Sequence, residues 1–387
     1  MKVLFVHDPP DLYGASRSLL RMASRLSTDG HTVLVVLSED GTLGTKLRDS
    51  GVQVVHCPLL AVLKRKNAGS MTGLARLFGK FVWSTFDLFR LTGKFRPDLV
   101  HSNSAVVLPA ALVARVRRIP HIWHMREIFS DFPKVWNIYQ WYIAAFSDRI
   151  VCVSQAVAEQ FHGRIRDGRV VVLYDGIPAA EFSDVCLAKV HAFRNQFKLN
   201  GNLLVGLVGR IKIGRKGQDI LLDAAAQIKP QFPNTRFLLI GSPFPGNEDH
   251  LTRLQKLITE KSLDRQVIYT GEVEDLKTAY AALDISVQPS VLPEAFGLVI
   301  TESMAMGKPV IASRSGGAIE QIEDGVNGIL VEPGDPEELA AALEKLHNDP
   351  VLRARLGVSG RATFIQKFEF EMFYDKLRMM QSVVIAG

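Results

Sequence analysis

Two glutamates eight positions apart, Glu294 and Glu302, stand in the stretch PEAFGLVITES with an almost wholly apolar filling. Glu294 follows a proline in what reads as a loop. Glu302 falls in LVITESMAM, a run with the length and apolar content of a buried helix. A carboxylate there is costly unless a cation or a hydrogen-bond donor meets it. Hydroxyls of a bound ligand could do so, as could water and hydrogen bonds inside the unliganded protein.

A second group stands after the apolar run LLVGLVG, where Arg210, Lys212, Arg215 and Lys216 precede the helical pattern GQDILLDAAAQI. Gly209, Gly214 and Gly217 allow the backbone to come close to a ligand. Cations at a strand-to-helix turn form a phosphate site, or else a solvated basic loop. After ISVQPS, the amides of Ala295, Phe296 and Gly297 precede the helix beginning at Leu298, and free N–H groups at a helix start suit hydroxyl or phosphate oxygens. Another flexible turn, Ser315-Gly316-Gly317, follows PVIASR.

The elements that position these residues repeat one theme. VLFVHD, TVLVVLS, VQVVHC, DLVHSN, HIWHMRE, RIVCVSQ and VVVLYDG alternate with stretches long enough for helices. LLVGLVGR, RFLLIGS, QVIYTGE, ISVQPS, PVIASR and GILVEPG do the same in the second half. Runs apolar at consecutive positions are strands buried on both faces, as in parallel sheets covered by helices. The pattern predicts an α/β protein of two Rossmann-like, doubly wound domains facing a cleft, and 387 residues exceed what one core supports. The expected divisions are an amino-terminal domain over 1–180, a polar, irregular linker over 181–201, a second domain over 202–369 and an amphipathic helix over 370–387 that can return to the first domain. Ligands of open α/β sheets sit at the carboxyl ends of strands, which is where the residues above stand.

GR…KGQD, PEAFGLVITESMAMGKPVIAS, GG and DGVNGILVEPGDPEELA together resemble the nucleotide-sugar-binding half of the GT-B glycosyltransferases of family 4. The resemblance covers most of residues 203–345, with the motifs in family order. It implies that Glu302 binds the ribose hydroxyls, that Glu294 lies near the donor sugar, and that Arg210 and Lys216 hold the diphosphate and stabilise its charge as it leaves. A glutamate spacing of about 12 Å, were both residues helical, fits the two ends of such a donor. The lysine lies six residues after the arginine where the family has five, so Arg215 can share or take its role, with Lys216 preferred because KGQD begins there as in the family. In the first half, Asp11-Leu12-Tyr13-Gly14-Ala15-Ser16 resembles the family's glycine turn with one glycine replaced by tyrosine. Gly14 and Ala15 there can present amides to an anionic group. HIWHMREIF resembles the segment in which a histidine approaches the donor sugar, which by position is His124, beside Arg126 and Glu127. His7 and His101 read as hydrogen-bonded structural groups, and Ser154 as a helix cap.

The function this implies is a retaining, metal-independent transfer from a UDP- or GDP-linked sugar to a sugar or lipid-linked acceptor of bacterial glycan synthesis. The acceptor hydroxyl is deprotonated with help from the leaving phosphate, no cofactor or metal takes part, and hinge closure brings His124 onto the donor. A nucleotide-sugar epimerase and a non-catalytic nucleotide-sugar binding module are the alternatives. A glycoside hydrolase also uses paired carboxylates, but the phosphate-binding surroundings argue against it. No strand is followed by GxGxxG, which disfavours a dinucleotide dehydrogenase.

The net charge of +6 is uneven: residues 1–180 hold 23 Lys and Arg against 14 Asp and Glu. Between Ala61 and Arg96 eight cations and one acid are threaded with Phe78, Phe81, Trp83, Phe86 and Phe89. Leu74, Leu77, Phe78, Phe81, Leu88 and Phe89 have helical spacing and read as a core face. Trp83, Phe86 and the flanking Lys64-Arg65-Lys66 offer a second reading, contact with an anionic bilayer or a lipid-linked acceptor. Nucleic-acid binding would rest on charge alone and is not expected. Three cysteines without metal-ligand spacing, no apolar run of about 18 residues and no leader point to the cytoplasm, and the basic aromatic segment adds the reading of contact at the inner membrane face.

Overall fold

The structure is a computed structural model that describes residues 1–63, 70–129, 133–161 and 163–387. It divides into two compact units, Met1–Gly176 with Met372–Gly387, and Ile177–Glu371.

In the first unit seven strands form one sheet: β1 (Lys2–His7), β2 (Thr32–Leu37), β3 (Gln53–His56), β4 (Leu99–Ser102), β5 (His121–Met125), β6 (Arg149–Cys152) and β7 (Val170–Val172). Every pairing is parallel, in the order β3-β2-β1-β4-β5-β6-β7. The second unit has six parallel strands: β8 (Leu203–Val208), β9 (Thr235–Ile240), β10 (Val267–Gly271), β11 (Ile285–Gln288), β12 (Val310–Ser313) and β13 (Ile329–Val331). Their order is β10-β9-β8-β11-β12-β13. All thirteen apolar runs are strands: in the central ones consecutive side chains such as Val3 to Val6 and Val33 to Leu37 are buried under helices on both faces, while the edge strands β3 and β7 are partly exposed. Both sheets are doubly wound, and each has its switch point where the order reverses, between β1 and β4 and between β8 and β11.

Two local expectations change. The linker segment contains the helix Leu187–Gln196, whose Arg194 donates to Ala282 O at 2.8 Å. Its sequence shows no apolar period because Phe193 is the one buried side chain in the helix. The basic aromatic segment contains the helix Met71–Phe95, opened by Ser70, whose hydroxyl accepts from Gly73 N. Its buried seam is Leu77, Ser84, Leu88 and Thr92, one narrow row against the helix Pro109–Arg117. Leu74, Phe78 and Phe89, expected in the core, lie off that row and are exposed, as are Trp83 and Phe86. Lys64, Arg65 and Lys66 lie outside the described residues.

The last helix, Phe370–Ala386, buries Phe373, Tyr374 and Leu377, and Tyr374 donates its hydroxyl to Asp29 Oδ2 at 2.6 Å in the first unit. Ser154 caps the helix Gln155–Ala158 by accepting from Val157 N at 3.1 Å. Among the described residues no helix is long and apolar enough to cross a membrane.

Candidate active site

In the second unit the turn after β8 and the loop after β11 lie against each other. Gly217 makes this possible: it has φ 75°, and a Cβ on it would stand 1.8 Å from Pro289 O. Val291 N donates to Arg215 O at 2.9 Å across the same contact. Gln218, fully buried at the start of the helix Gln218–Ile228, donates to Arg210 O at 2.8 Å and accepts from Lys212 N at 3.3 Å, which folds the cationic turn back on itself.

This places Lys216 Nζ 2.5 Å from Glu294 Oε1, and Ser290 Oγ donates to the same oxygen at 2.8 Å. The two charged side chains are 29% and 20% exposed, so the pair is largely withdrawn from water yet reachable. Burial would raise the Glu294 carboxyl. The charge and hydrogen bond of Lys216, the Ser290 hydroxyl and the charge of Arg215 outweigh it, and the group lies below the usual carboxylate range. Arg210 extends differently, its guanidinium 4.8 Å from the ring centroid of Phe244 in the loop after β9.

Glu294 is in the loop, and Glu302 alone is on the helix Leu298–Ala305. That helix begins after Gly297 (φ 91°), and seven of its eight residues are buried. Glu302 is wholly buried, and its Oε2 accepts the Tyr280 hydroxyl at 2.9 Å. A protein donor therefore meets this carboxylate. The Ser315-Gly316-Gly317 turn closes over the loop: Gly317 N donates to Glu294 O at 2.9 Å, and a Cβ on Gly316 would stand 2.2 Å from that oxygen. Gln321 donates to Phe296 O, while the Phe296 ring packs edge-on against Phe368 at 5.8 Å. Ala295, Phe296 and Gly297 are thus held as a shaped loop before Leu298.

In the first unit Gly14 and Ala15 open the helix Gly14–Thr28, after an Asx turn in which Tyr13 N donates to Asp11 Oδ1 at 3.0 Å. Behind them, at the carboxyl ends of β1, β4, β5 and β7, lie His7, Asn103, His124, Arg126 and Asp175, joined by hydrogen bonds and buried. His124 is wholly buried, 3.3 Å from His101 Nε2. Burial first, then the charge of Arg126 and the neighbouring His101, hold its pKa well below the ordinary histidine value. His7 is lowered to about 3, by burial and then by Arg126. Beside Arg126, burial raises the Glu127 carboxyl against hydrogen bonds from Ser104, Ala105 N and Arg126 N.

Gln218, Tyr280, Ser290, Asp175 and Ser18, whose hydroxyl donates to Asp175 Oδ1 at 2.8 Å, take part in these networks without having been singled out in the sequence. Ser290 and Asp175 follow apolar runs, so the strand-end rule could have found them. Tyr280 sits inside a helix and carries no such signal. Among the described residues no group of three or more His, Cys, Asp or Glu stands where it could hold a metal ion.

A family model described as "Glycosyl transferases group 1" matches residues 190–363, and one described as "Glycosyltransferase Family 4" matches residues 13–181. An uncharacterized glycosyltransferase of Methanocaldococcus jannaschii is 29% identical over 281 residues, 71% of this chain and 72% of that protein. A GDP-mannose-dependent alpha-(1-6)-phosphatidylinositol monomannoside mannosyltransferase of Mycolicibacterium smegmatis is 27% identical, covering 70% of this chain and 73% of its own. The crystal structure of Anabaena Alr3699/HepE in complex with UDP and glucose matches with a TM-score of 0.85 and 28% identity, over 99% of each chain. With two doubly wound sheets and a family model on each half, the chain belongs to the family 4 glycosyltransferases of the GT-B fold.

Proposed function

We propose that this glycosyltransferase retains anomeric configuration, works without a divalent metal, and takes its sugar from a UDP- or GDP-linked donor. The observation that carries the reading is the Lys216–Glu294 pair, a cation and a carboxylate set by two braced strand-end turns, with buried Glu302 on the following helix. Arg210 and Lys216, with Arg215 beside them, stabilise the negative charge that grows on the leaving diphosphate. Glu302 accepts the two ribose hydroxyls, a charge-assisted contact well suited to a buried carboxylate. Glu294 and the loop from Ala295 to Leu298 hold the donor sugar. In the first unit Gly14 and Ala15 present the helix start to an anionic group, and His124 is the donor-sugar contact. The bond from the anomeric carbon to the phosphate oxygen breaks, the acceptor oxygen bonds to the same face, and the acceptor proton passes to the departing phosphate.

Both bases occur among relatives: the Anabaena structure holds UDP, and the Mycolicibacterium protein is named for GDP-mannose. The acceptor is a sugar or lipid-linked hydroxyl at an anionic membrane surface. This is supported by exposed Phe78, Trp83 and Phe86 on the helix Met71–Phe95, interspersed with Arg76, Lys80, Arg90 and Lys94. The enzyme then works on the cytoplasmic side of the inner membrane.

The deciding experiment begins with a thermal-shift screen of nucleoside diphosphates and their sugars, since a ligand that binds only the folded state raises the melting temperature. Transfer from the best donor is then run in excess chelator, and the product's anomeric configuration is read by NMR. An inverted product, or activity that returns only with added metal, rejects the corresponding part.

A further inference from the structure

A guanidinium has five N–H donors and no acceptor, so every group it hydrogen-bonds must offer a lone pair. Arg126, just past β5 and with its side chain 4% exposed, faces four such groups. Its Nε donates to Asn103 Oδ1 at 3.1 Å. One terminal nitrogen pairs with Asp175; the other donates to Ser18 Oγ at 2.9 Å and lies 3.5 Å from His124 Nδ1. Each contact dictates the direction of the next.

On one side, Asn103 turns its oxygen to Arg126, so its Nδ2 donates to Ala15 O at 3.1 Å and to His7 Nδ1 at 3.3 Å. His7 Nδ1 is then an acceptor, the ring proton sits on Nε2, and it is donated to Ser16 Oγ at 3.0 Å. The Ser16 hydroxyl passes the same polarity to Pro9 O at 3.2 Å. On the other side, His124 Nδ1 accepts from Arg126, so the proton of the neutral ring is on Nε2. His101 Nε2, 3.3 Å from that same Nδ1, approaches it as an N–H. His124 Nε2 and His101 Nδ1 are buried and meet no hydrogen-bond partner among the described residues. An unmet buried donor is costly, and a ligand oxygen would relieve it.

We infer that Arg126 is a positioning residue that fixes His124 as its Nε2–H tautomer, so that His124 serves a ligand oxygen as a hydrogen-bond donor and not as a proton acceptor. The tautomer follows from hydrogen-bond polarity alone. Its use toward a sugar or phosphate oxygen rests on the reading of His124 given under the proposed function. Burial and the neighbouring cation keep both His101 and His124 neutral, as that polarity requires. The charged and titratable groups facing His124 are Arg126 on its own segment and His101 from β4, with Asp175 reaching it through Arg126.

The test is a long-range proton–nitrogen correlation spectrum of the full chain labelled with 15N-histidine, with His124 assigned from the peaks missing in His124→Gln. The expected spectrum shows His124 with unprotonated Nδ1 and protonated Nε2. A protonated Nδ1 overturns the inference, and this holds even where no variant of Arg126 folds. In Arg126→Lys, which keeps a cation beside Asp175 but loses the second arm, the His124 signals should move to tautomer-averaged positions; a spectrum like wild type removes Arg126 from the role. For turnover, His124→Gln keeps an N–H donor and should stay within roughly tenfold of wild type, whereas His124→Leu should lose about a hundredfold. A Gln variant as inactive as the Leu variant overturns the donor role. Full activity in both, with the expected spectrum, leaves the tautomer standing and removes His124 from the ligand.

Discussion

Lys216 and Glu294, seventy-eight residues apart in sequence, share a contact of 2.5 Å that joins the turn after β8 to the loop after β11. Because the folded Glu294 lies below its unfolded pKa, the pair contributes stability that is fully present above the unfolded value of about 4.3 and is lost as pH falls through the folded value. Lys216→Met leaves a largely buried carboxylate without its cation. It should cost about 1–2 kcal/mol at pH 7, and the deficit should narrow in acid as Glu294 protonates. Urea unfolding of both proteins at neutral pH and near pH 4 checks this; a deficit independent of pH means the pair is not what the substitution removes. Turnover of the same variant should fall roughly 10²–10³-fold, the scale of a lost charge-stabilising contact.

Glu302 and Tyr280 make a separable pair. Glu302→Ala should weaken nucleoside diphosphate binding by roughly 10–100-fold, the scale of charge-assisted hydrogen bonds. The loss should vanish for a nucleotide lacking both ribose hydroxyls, which has nothing to donate. Isothermal titration with both ligands decides it, and an unchanged affinity for the ordinary nucleotide ends the ribose assignment. Tyr280→Phe leaves the buried carboxylate one donor poorer and should lower stability by about 1–3 kcal/mol.

The central strands were legible because they are buried on both faces, which writes an unbroken apolar run such as Val3 to Val6 into the chain. The edge strands β3 and β7 are only partly buried and were legible as short apolar runs repeating the same theme. Helices were less so wherever packing used a narrow seam: Phe78 and Phe89 have the spacing of core residues, yet Ser84 and Thr92 occupy the interface. Of the site, the residues after strands could be read because topology sends ligands there. Tyr280 could not, since its role depends on a helix 22 residues earlier in the chain meeting Glu302 in space. Nor could the Arg126 network, whose order comes from hydrogen-bond direction between β1, β4, β5 and β7 rather than from any spacing.

Gly217 tests whether the two site loops depend on close approach. An alanine there would force a Cβ against Pro289 O at 1.8 Å while keeping a positive φ. Loss of at least about 2 kcal/mol of stability is expected from strain and displacement together. The diagnostic feature is where the displacement appears: hydrogen exchange should quicken at Val291 N, which donates across this contact. Unaltered protection at that amide would show that the loops hold without it.

The exposed aromatic face of the helix Met71–Phe95 makes the last prediction. Trp83 and Phe86 are 61% and 53% exposed, so replacing both with serine removes little core and should leave the melting temperature nearly unchanged. Arg90 lies 5.6 Å from the Phe86 ring, and Arg117 lies 3.7 Å from that of Phe89, so cationic heads flank apolar surface. Val82, Phe86 and Phe89 also line an apolar groove with Leu112 and Val116. Aromatic rings at a headgroup boundary with cations beside them match the two terms of interfacial binding, apolar burial and attraction to anionic lipid. The wild-type chain should therefore sediment with anionic vesicles at low salt, less at high salt, and little with neutral ones. The double serine variant should lose most of the anionic binding while its turnover on a water-soluble acceptor stays intact. Equal recovery of wild type with neutral and anionic vesicles would mean that this face meets something other than a charged bilayer.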